Sequence, residues 1–146
     1  MTKRVIITKN DPKLLEGLND VSEYLKTKGL DLILVELIKI RTSQINKCAY
    51  CIEIHAKIAL DAGETPRRLY ALPAWQESPL FSDKEKAVLL MTEEIAHISN
   101  QGVTDETYSK LWEYFTEDEI ARLIMVAISM NAWNRVALSA KLEHKK

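Results

Sequence analysis

Apolar residues recur at three- and four-residue steps along most of this chain, and only four glycines and four prolines interrupt them. That spacing gathers side chains on one face of a helix with 3.6 residues per turn and does not fit the alternation of a half-buried strand. The chain is therefore predicted to be all-α. Its 146 residues are enough for one substantial core. We find no linker, low-complexity tract or internal repeat, so residues 1–146 are expected to form a single-domain helical bundle.

The boundaries follow from capping chemistry. Asp11-Pro12 is a helix start with proline in the first turn. Leu14, Leu15, Leu18, Val21 and Leu25 form the stripe behind it, and Gly29 ends it. From Leu30 to about Ile45 the chain is so heavily aliphatic that it is expected deep in the core, and its length favours helix over strand. A third helix is expected from about Lys47 to Ala62, stopped by a left-handed Gly63. Thr65-Pro66 opens a short turn or helix through Leu72, followed by an irregular stretch containing Pro73 and Pro79. Ser82 and Glu85 have capping-box spacing ahead of Ala87, Val88, Leu90, Met91, Ile95 and Ile98, and Gly102 is the expected end. Thr104 starts a shorter helix with Tyr108, Leu111, Trp112 and Phe115 inward. Thr116 and Glu119 repeat the capping box and open a final helix to about Lys141, which makes about six to seven helices.

Charge excludes one class of partner. Lys and Arg nearly balance Asp and Glu, the formal net charge is −1, and no basic stripe suits a nucleic acid. The opening Met1-Thr2-Lys3-Arg4 has no apolar stretch of signal-peptide type behind it. No uninterrupted apolar run approaches the roughly 20 residues of a membrane span, so a cytoplasmic protein with no membrane partner is expected. In that compartment a close cysteine pair is more often catalytic, sensing or metal-binding than a permanent staple.

That pair lies in Gln44-Ile-Asn-Lys-Cys48-Ala-Tyr-Cys51-Ile-Glu-Ile-His55. On a helix, positions 48, 51 and 55 share one face. Unpaired backbone N–H groups and the positive dipole end near a helix N-terminus favour thiolate over thiol. The spacing lets the two sulfurs approach bonding distance, with His55 one turn on as a proton acceptor. Glu36 is the only acidic residue within the aliphatic segment from Leu32 to Ile40. It either faces water or orients His55, as the carboxylate does in a base–orienter pair.

Glu36, Cys48-x-x-Cys51-x-x-x-His55 and the ending Ala59, Ala62, Gly63 together resemble the alkyl hydroperoxidase AhpD-like core of the carboxymuconolactone decarboxylase superfamily, over about residues 30–75. Met130-Asn-Ala-Trp-Asn-Arg135 in the last helix is similar to single-domain members in a less specific way. The resemblance implies an AhpD-like all-α fold, a homo-oligomer (trimer or hexamer) and an antioxidant, thiol-dependent reduction of hydroperoxides without a bound cofactor or metal. Carried over residue by residue, Cys51 reacts with peroxide, His55 and Glu36 relay the proton, and Cys48 resolves the sulfenic acid to a disulfide. A reducing thiol or lipoyl protein then recharges the dithiol. One position departs: the family's peroxidases carry a His between the cysteines where this chain has Tyr50.

Two other readings fit the same residues. One is a non-enzymatic redox sensor or interaction protein; the other is a zinc-binding scaffold using Cys48, Cys51, His55 and Glu36. His97 reads as a packing or surface histidine, and His144 and Lys145-Lys146 as a charged tail. Trp75, Trp112 and Trp133 read as core or interface anchors, with Trp75 and Phe81 as candidates for the mouth of a thiol pocket. Arg67-Arg68 reads as a solvated helix face.

Overall fold

The computed structural model describes residues 2, 4–26 and 28–142; His144 and the Lys145-Lys146 tail lie outside them. Among the described residues all regular structure is helical. The segments are α1 (Ile7–Asn10), α2 (Glu16–Lys26), α3 (Leu32–Ile45), α4 (Ala49–Asp61), α5 (Pro66–Ala71), α6 (Asp83–Ala96), α7 (Ile98–Gln101), α8 (Asp105–Trp112) and α9 (Glu117–Ala140). The count exceeds the expected six to seven because α1 and α7 are single turns of four residues. A 3₁₀ turn at Pro12–Leu15, capped by the Asp11 side chain, leads into α2, and another at Leu72–Ala74 follows α5.

The aliphatic segment is a helix at the centre of the molecule. Leu34 and Ile38 of α3 pack with Val88, Met91, Leu111, Leu123 and Val126. The opposite face, Leu37 and Ile40, packs with Ala59, Leu72, Trp75, Phe81 and Leu89. A helix buried on two sides needs apolar residues around most of its circumference, which is why this stretch shows no polar face. Each such side chain withdrawn from water contributes about 1.5–3 kcal/mol. Around α3 are packed α4, α6 and α9.

Both capping boxes form, Ser82 with Glu85 and Thr116 with Glu119. Gly63, at φ +103°, ends α4 with Gly63 N–H donating to the Leu60 carbonyl and Glu64 N–H to that of Ala59. Two expectations fail here. The helix opened by Ser82 stops at Ala96, where His97 leaves helical geometry, rather than running to Gly102, and Ile98 is exposed. Trp112, expected inward, is 53% exposed at the end of α8, whose buried members are Thr107 and Leu111. His97 is an exposed histidine whose Nδ1 lies 3.1 Å from the Glu93 carbonyl oxygen.

By length and composition α9 alone among the described residues is apolar enough to cross a membrane. Half of that apolar window is buried inside the fold, where α9 packs on α3, α6 and α2.

Candidate active site

The corner between α3 and α4 sets the dithiol. Lys47 sits in the left-handed region at φ +58° and donates its N–H to the Gln44 carbonyl at 3.2 Å. Cys48 N–H donates to the Ser43 carbonyl at 2.9 Å. These two bonds are the helix-ending pattern that glycine usually completes, here built on lysine. Cys48 is thereby extended (φ −92°, ψ 90°) and serves as the N-cap of α4, its carbonyl accepting from Ile52 N–H. The expectation of a helix from about Lys47 carrying Cys48 on its face is corrected, because a residue just past a left-handed turn starts the next helix rather than lying within it. Cys51, in the first turn of α4, still comes within 5.3 Å of Cys48 (Cα to Cα), and the two are joined as a disulfide. First-turn N–H groups lack intrahelical acceptors, so a thiolate formed at Cys51 sits among donors.

From α3, Glu36 meets His55 of α4. The Glu36 side chain is 1% exposed, and its Oε2 lies 2.6 Å from His55 Nδ1. The water-facing reading of Glu36 is therefore excluded. Its other oxygen, Oε1, accepts from Lys39 Nζ at 2.8 Å. Burial alone would raise the Glu36 carboxyl, but the hydrogen bond from His55 and the charge and hydrogen bond of Lys39 outweigh it and hold it below the usual carboxylate range. An ionised carboxylate only accepts, so the hydrogen of that bond belongs to His55 Nδ1. The second ring nitrogen, Nε2, is left to exchange protons.

A cavity of about 530 Å³ reaches Cys51, His55, Glu36 and Lys39 and does not reach Cys48. Its walls are otherwise largely apolar, with Leu25 from α2, Ile54 and Ile58 from α4, and Met130 and Trp133 from α9. Trp133 is fixed by its indole N–H, which donates to Ser22 Oγ at 2.9 Å. Tyr50 also lines the cavity and packs with the cysteines, Met130 and Ala137.

The match to known proteins covers the site. Residues 12–94 fit the carboxymuconolactone decarboxylase family. The uncharacterized protein YdfG of Bacillus subtilis (strain 168) is 36% identical over 139 residues, 95% of either chain. The chain belongs to the carboxymuconolactone decarboxylase family. Among solved structures, a protein of unknown function from Agrobacterium tumefaciens, considered an AhpD antioxidant-defence candidate, superposes with TM-score 0.93 at 27% identity over 99% of both chains. The debrominase Bmp8 bound to 2,3,4-tribromopyrrole superposes with TM-score 0.78 at 17% identity over 94% of this chain and 74% of its own, a likeness of fold alone.

Within this AhpD-like fold, Trp75 is the core anchor expected of it, whereas the alternative that placed Trp75 and Phe81 at the pocket mouth and the solvated reading of Arg68 both fail. Trp75 and Phe81 are buried in the core beside Leu37 and Leu72, away from the cavity. Trp75 donates its indole N–H to Glu93 Oε1 at 2.7 Å, an oxygen that also accepts from Arg41 Nε. Arg68 is no solvated residue: it pairs with Glu64 and Glu85, donates to the Leu80 carbonyl and stacks on the Phe81 ring. Arg67 is exposed as expected. Two features were missed in the sequence. Lys39 had a visible signal, since it is the only cation between Leu32 and Ile40 and stands three residues after Glu36. The asparagines of α9 lie in the stretch 130–135 already singled out, but nothing in it pointed to their contacts with the α3–α4 corner.

Proposed function

We propose that the protein is a thiol-dependent peroxidase of the AhpD-like type, cycling Cys48 and Cys51 between dithiol and disulfide. The observation that carries this reading is the cavity that opens on Cys51 and His55 and stops short of Cys48. One sulfur is presented to a small substrate while the other is buried behind it. The Glu36–His55 contact supplies the oriented base that such chemistry uses.

His55 Nε2 takes the proton of Cys51, and the thiolate attacks the terminal oxygen of a hydroperoxide. The O–O bond breaks, Cys51 becomes the sulfenic acid, and the departing alkoxide takes the proton from His55 and leaves as an alcohol. Cys48 then attacks the Cys51 sulfur. The S–S bond forms, the S–O bond breaks, and hydroxide leaves as water with the proton of Cys48. Two thiols and one hydroperoxide become one disulfide, one alcohol and one water.

A reducing thiol or a lipoyl protein returns two electrons and two protons, which suits a reducing cytoplasmic compartment. A trimer or hexamer is part of the same reading. Both Glu36 oxygens are engaged by His55 and Lys39, which disfavours Glu36 as the fourth ligand of a zinc site with Cys48, Cys51 and His55.

The test is trapping. Reduced Cys48→Ser exposed to one equivalent of cumene hydroperoxide should hold a sulfenic acid on Cys51, identified by a carbon-nucleophile adduct and peptide mass, and Cys51→Ser should hold none. An adduct found on Cys48 of Cys51→Ser, with none on Cys51 of the converse variant, would overturn the assignment.

A further inference from the structure

The mechanism leaves unused a set of amides behind the dithiol, of which Asn131 and Asn134 are buried and Asn46 is half-buried. Asn131 and Asn134, one turn apart on α9, both reach Asn46, the last residue before the left-handed Lys47. Asn46 Nδ2 donates to Asn131 Oδ1 at 2.9 Å and to Asn134 Oδ1 at 3.0 Å. Asn134, fully buried, donates in turn from Nδ2 to Ser43 Oγ at 3.0 Å. Ser43 Oγ donates to the Lys39 carbonyl at 2.7 Å, and the Ser43 carbonyl accepts Cys48 N–H. Asn131 is held from its far side by Arg135, whose guanidinium donates to its carbonyl and side-chain oxygens.

Asn134 thus grips the corner at two points, Asn46 and Ser43, on either side of the backbone bond that fixes Cys48. Lys47 has no glycine freedom to hold φ +58° by itself, and Cys48 makes no side-chain cap bond that would anchor it. The position of Cys48 therefore depends on what holds residues 43 and 46. Buried, satisfied amide networks specify one arrangement, because every alternative strands a donor or acceptor away from water. α9 also packs Met130 and Ala137 against the two cysteines, so one helix both covers the sulfurs and holds the turn beneath them.

We infer that the Asn46–Asn131–Asn134 amide brace, acting through Ser43, is a positioning device for Cys48 that sets the poise of the Cys48–Cys51 couple and the rate at which Cys48 closes on Cys51. The rate part rests on the peroxidase reading; the poise part does not. A turn fixed in one conformation raises the effective concentration of the Cys48 thiol at Cys51, which favours the disulfide and speeds its formation. Loosening the brace spreads Cys48 over other positions. Both quantities then fall together, while attack of Cys51 on peroxide keeps its rate.

The experiment uses the full chain equilibrated with defined mixtures of reduced and oxidised dithiothreitol, in which two electrons and two protons pass between the probe and the Cys48–Cys51 pair. Asn134→Ala should shift the equilibrium about tenfold toward the protein dithiol. That is a reduction potential about 30 mV less negative. Ser43→Ala should shift it the same way by less, and it keeps the test alive should Asn134→Ala fold poorly. Leu123→Ala, a core truncation away from the corner, is the control for general destabilisation and should leave the potential unchanged.

In stopped-flow with cumene hydroperoxide, Asn134→Ala should accumulate sulfenic acid without slowing its formation. Potentials of Asn134→Ala and Ser43→Ala within twofold of the parent equilibrium, or an equal shift in Leu123→Ala, would overturn the inference. If the protein consumes no peroxide at all, the peroxidase reading fails and the dithiothreitol titration still decides the brace.

Discussion

His55 Nδ1 and Glu36 Oε2 lie 2.6 Å apart across the α3–α4 interface, from positions 19 residues apart in the chain. Glu36 is buried and held ionised by that contact and by Lys39, so the imidazole has a fixed ring orientation and a fixed tautomer. His55→Ala is predicted to slow the reaction of reduced protein with hydroperoxide by about 10²- to 10⁴-fold. Glu36→Gln keeps an acceptor and loses the charge, so its loss should be smaller and in the same step. Rapid mixing of each reduced variant with hydroperoxide measures both.

The same carboxylate makes stability depend on pH. Its folded-state value lies below the unfolded one, so the unfolded chain binds more protons in the interval between them, and stability rises with pH there. The contribution is complete above the ordinary carboxylate value of 4.5 and is lost as pH falls through the lowered one. Glu85 acts in the same direction: burial raises it, and hydrogen bonds from Arg68 and Ser82 outweigh that. Urea unfolding of the oxidised protein should give a free energy that is flat near neutrality and declines below about pH 4.5, with a shallower decline in Glu36→Gln.

Arg68 links Glu64, whose side chain is 2% exposed, to Glu85 and to the Leu80 carbonyl. Arg68→Ala strands a buried carboxylate and should cost about 2–4 kcal/mol in denaturant unfolding. Arg68→Lys should recover little of this, because a single ammonium cannot reproduce the forked contacts to three partners.

Ile54 is 37% exposed and lines the cavity near Cys51. Ile54→Trp adds bulk where a substrate side chain would lie. It is predicted to lower kcat/KM for cumene hydroperoxide by about tenfold and to leave hydrogen peroxide nearly unaffected, since filling a pocket discriminates by size. Steady-state rates with the two peroxides compare them directly.

Much of this was readable in the chain. The 3.6-residue period and the Ser82 and Thr116 boxes located α3, α4, α6 and α9, and the spacing of Cys48, Cys51 and His55 with Glu36 upstream pointed to residues that the fold brings together in one candidate site. Failures occurred where local pattern and tertiary context part. Gly63 announces its left-handed stop, whereas Lys47 makes the same turn without glycine, next to Asn46, whose partners lie 85 and 88 residues away on α9. Trp112 lies on the apolar side of a short helix that runs out of neighbours, and periodicity does not reveal where a core ends. Arg68 finds its partner Glu85 at a sequence separation of 17, beyond any helical spacing.

The most direct test is a single turnover of the fully reduced chain with a limiting hydroperoxide, counting thiols and peroxide together. Loss of two thiols for each peroxide consumed, abolished in both Cys48→Ser and Cys51→Ser, is the predicted result. Peroxide that persists while both thiols remain free would contradict the dithiol peroxidase reading.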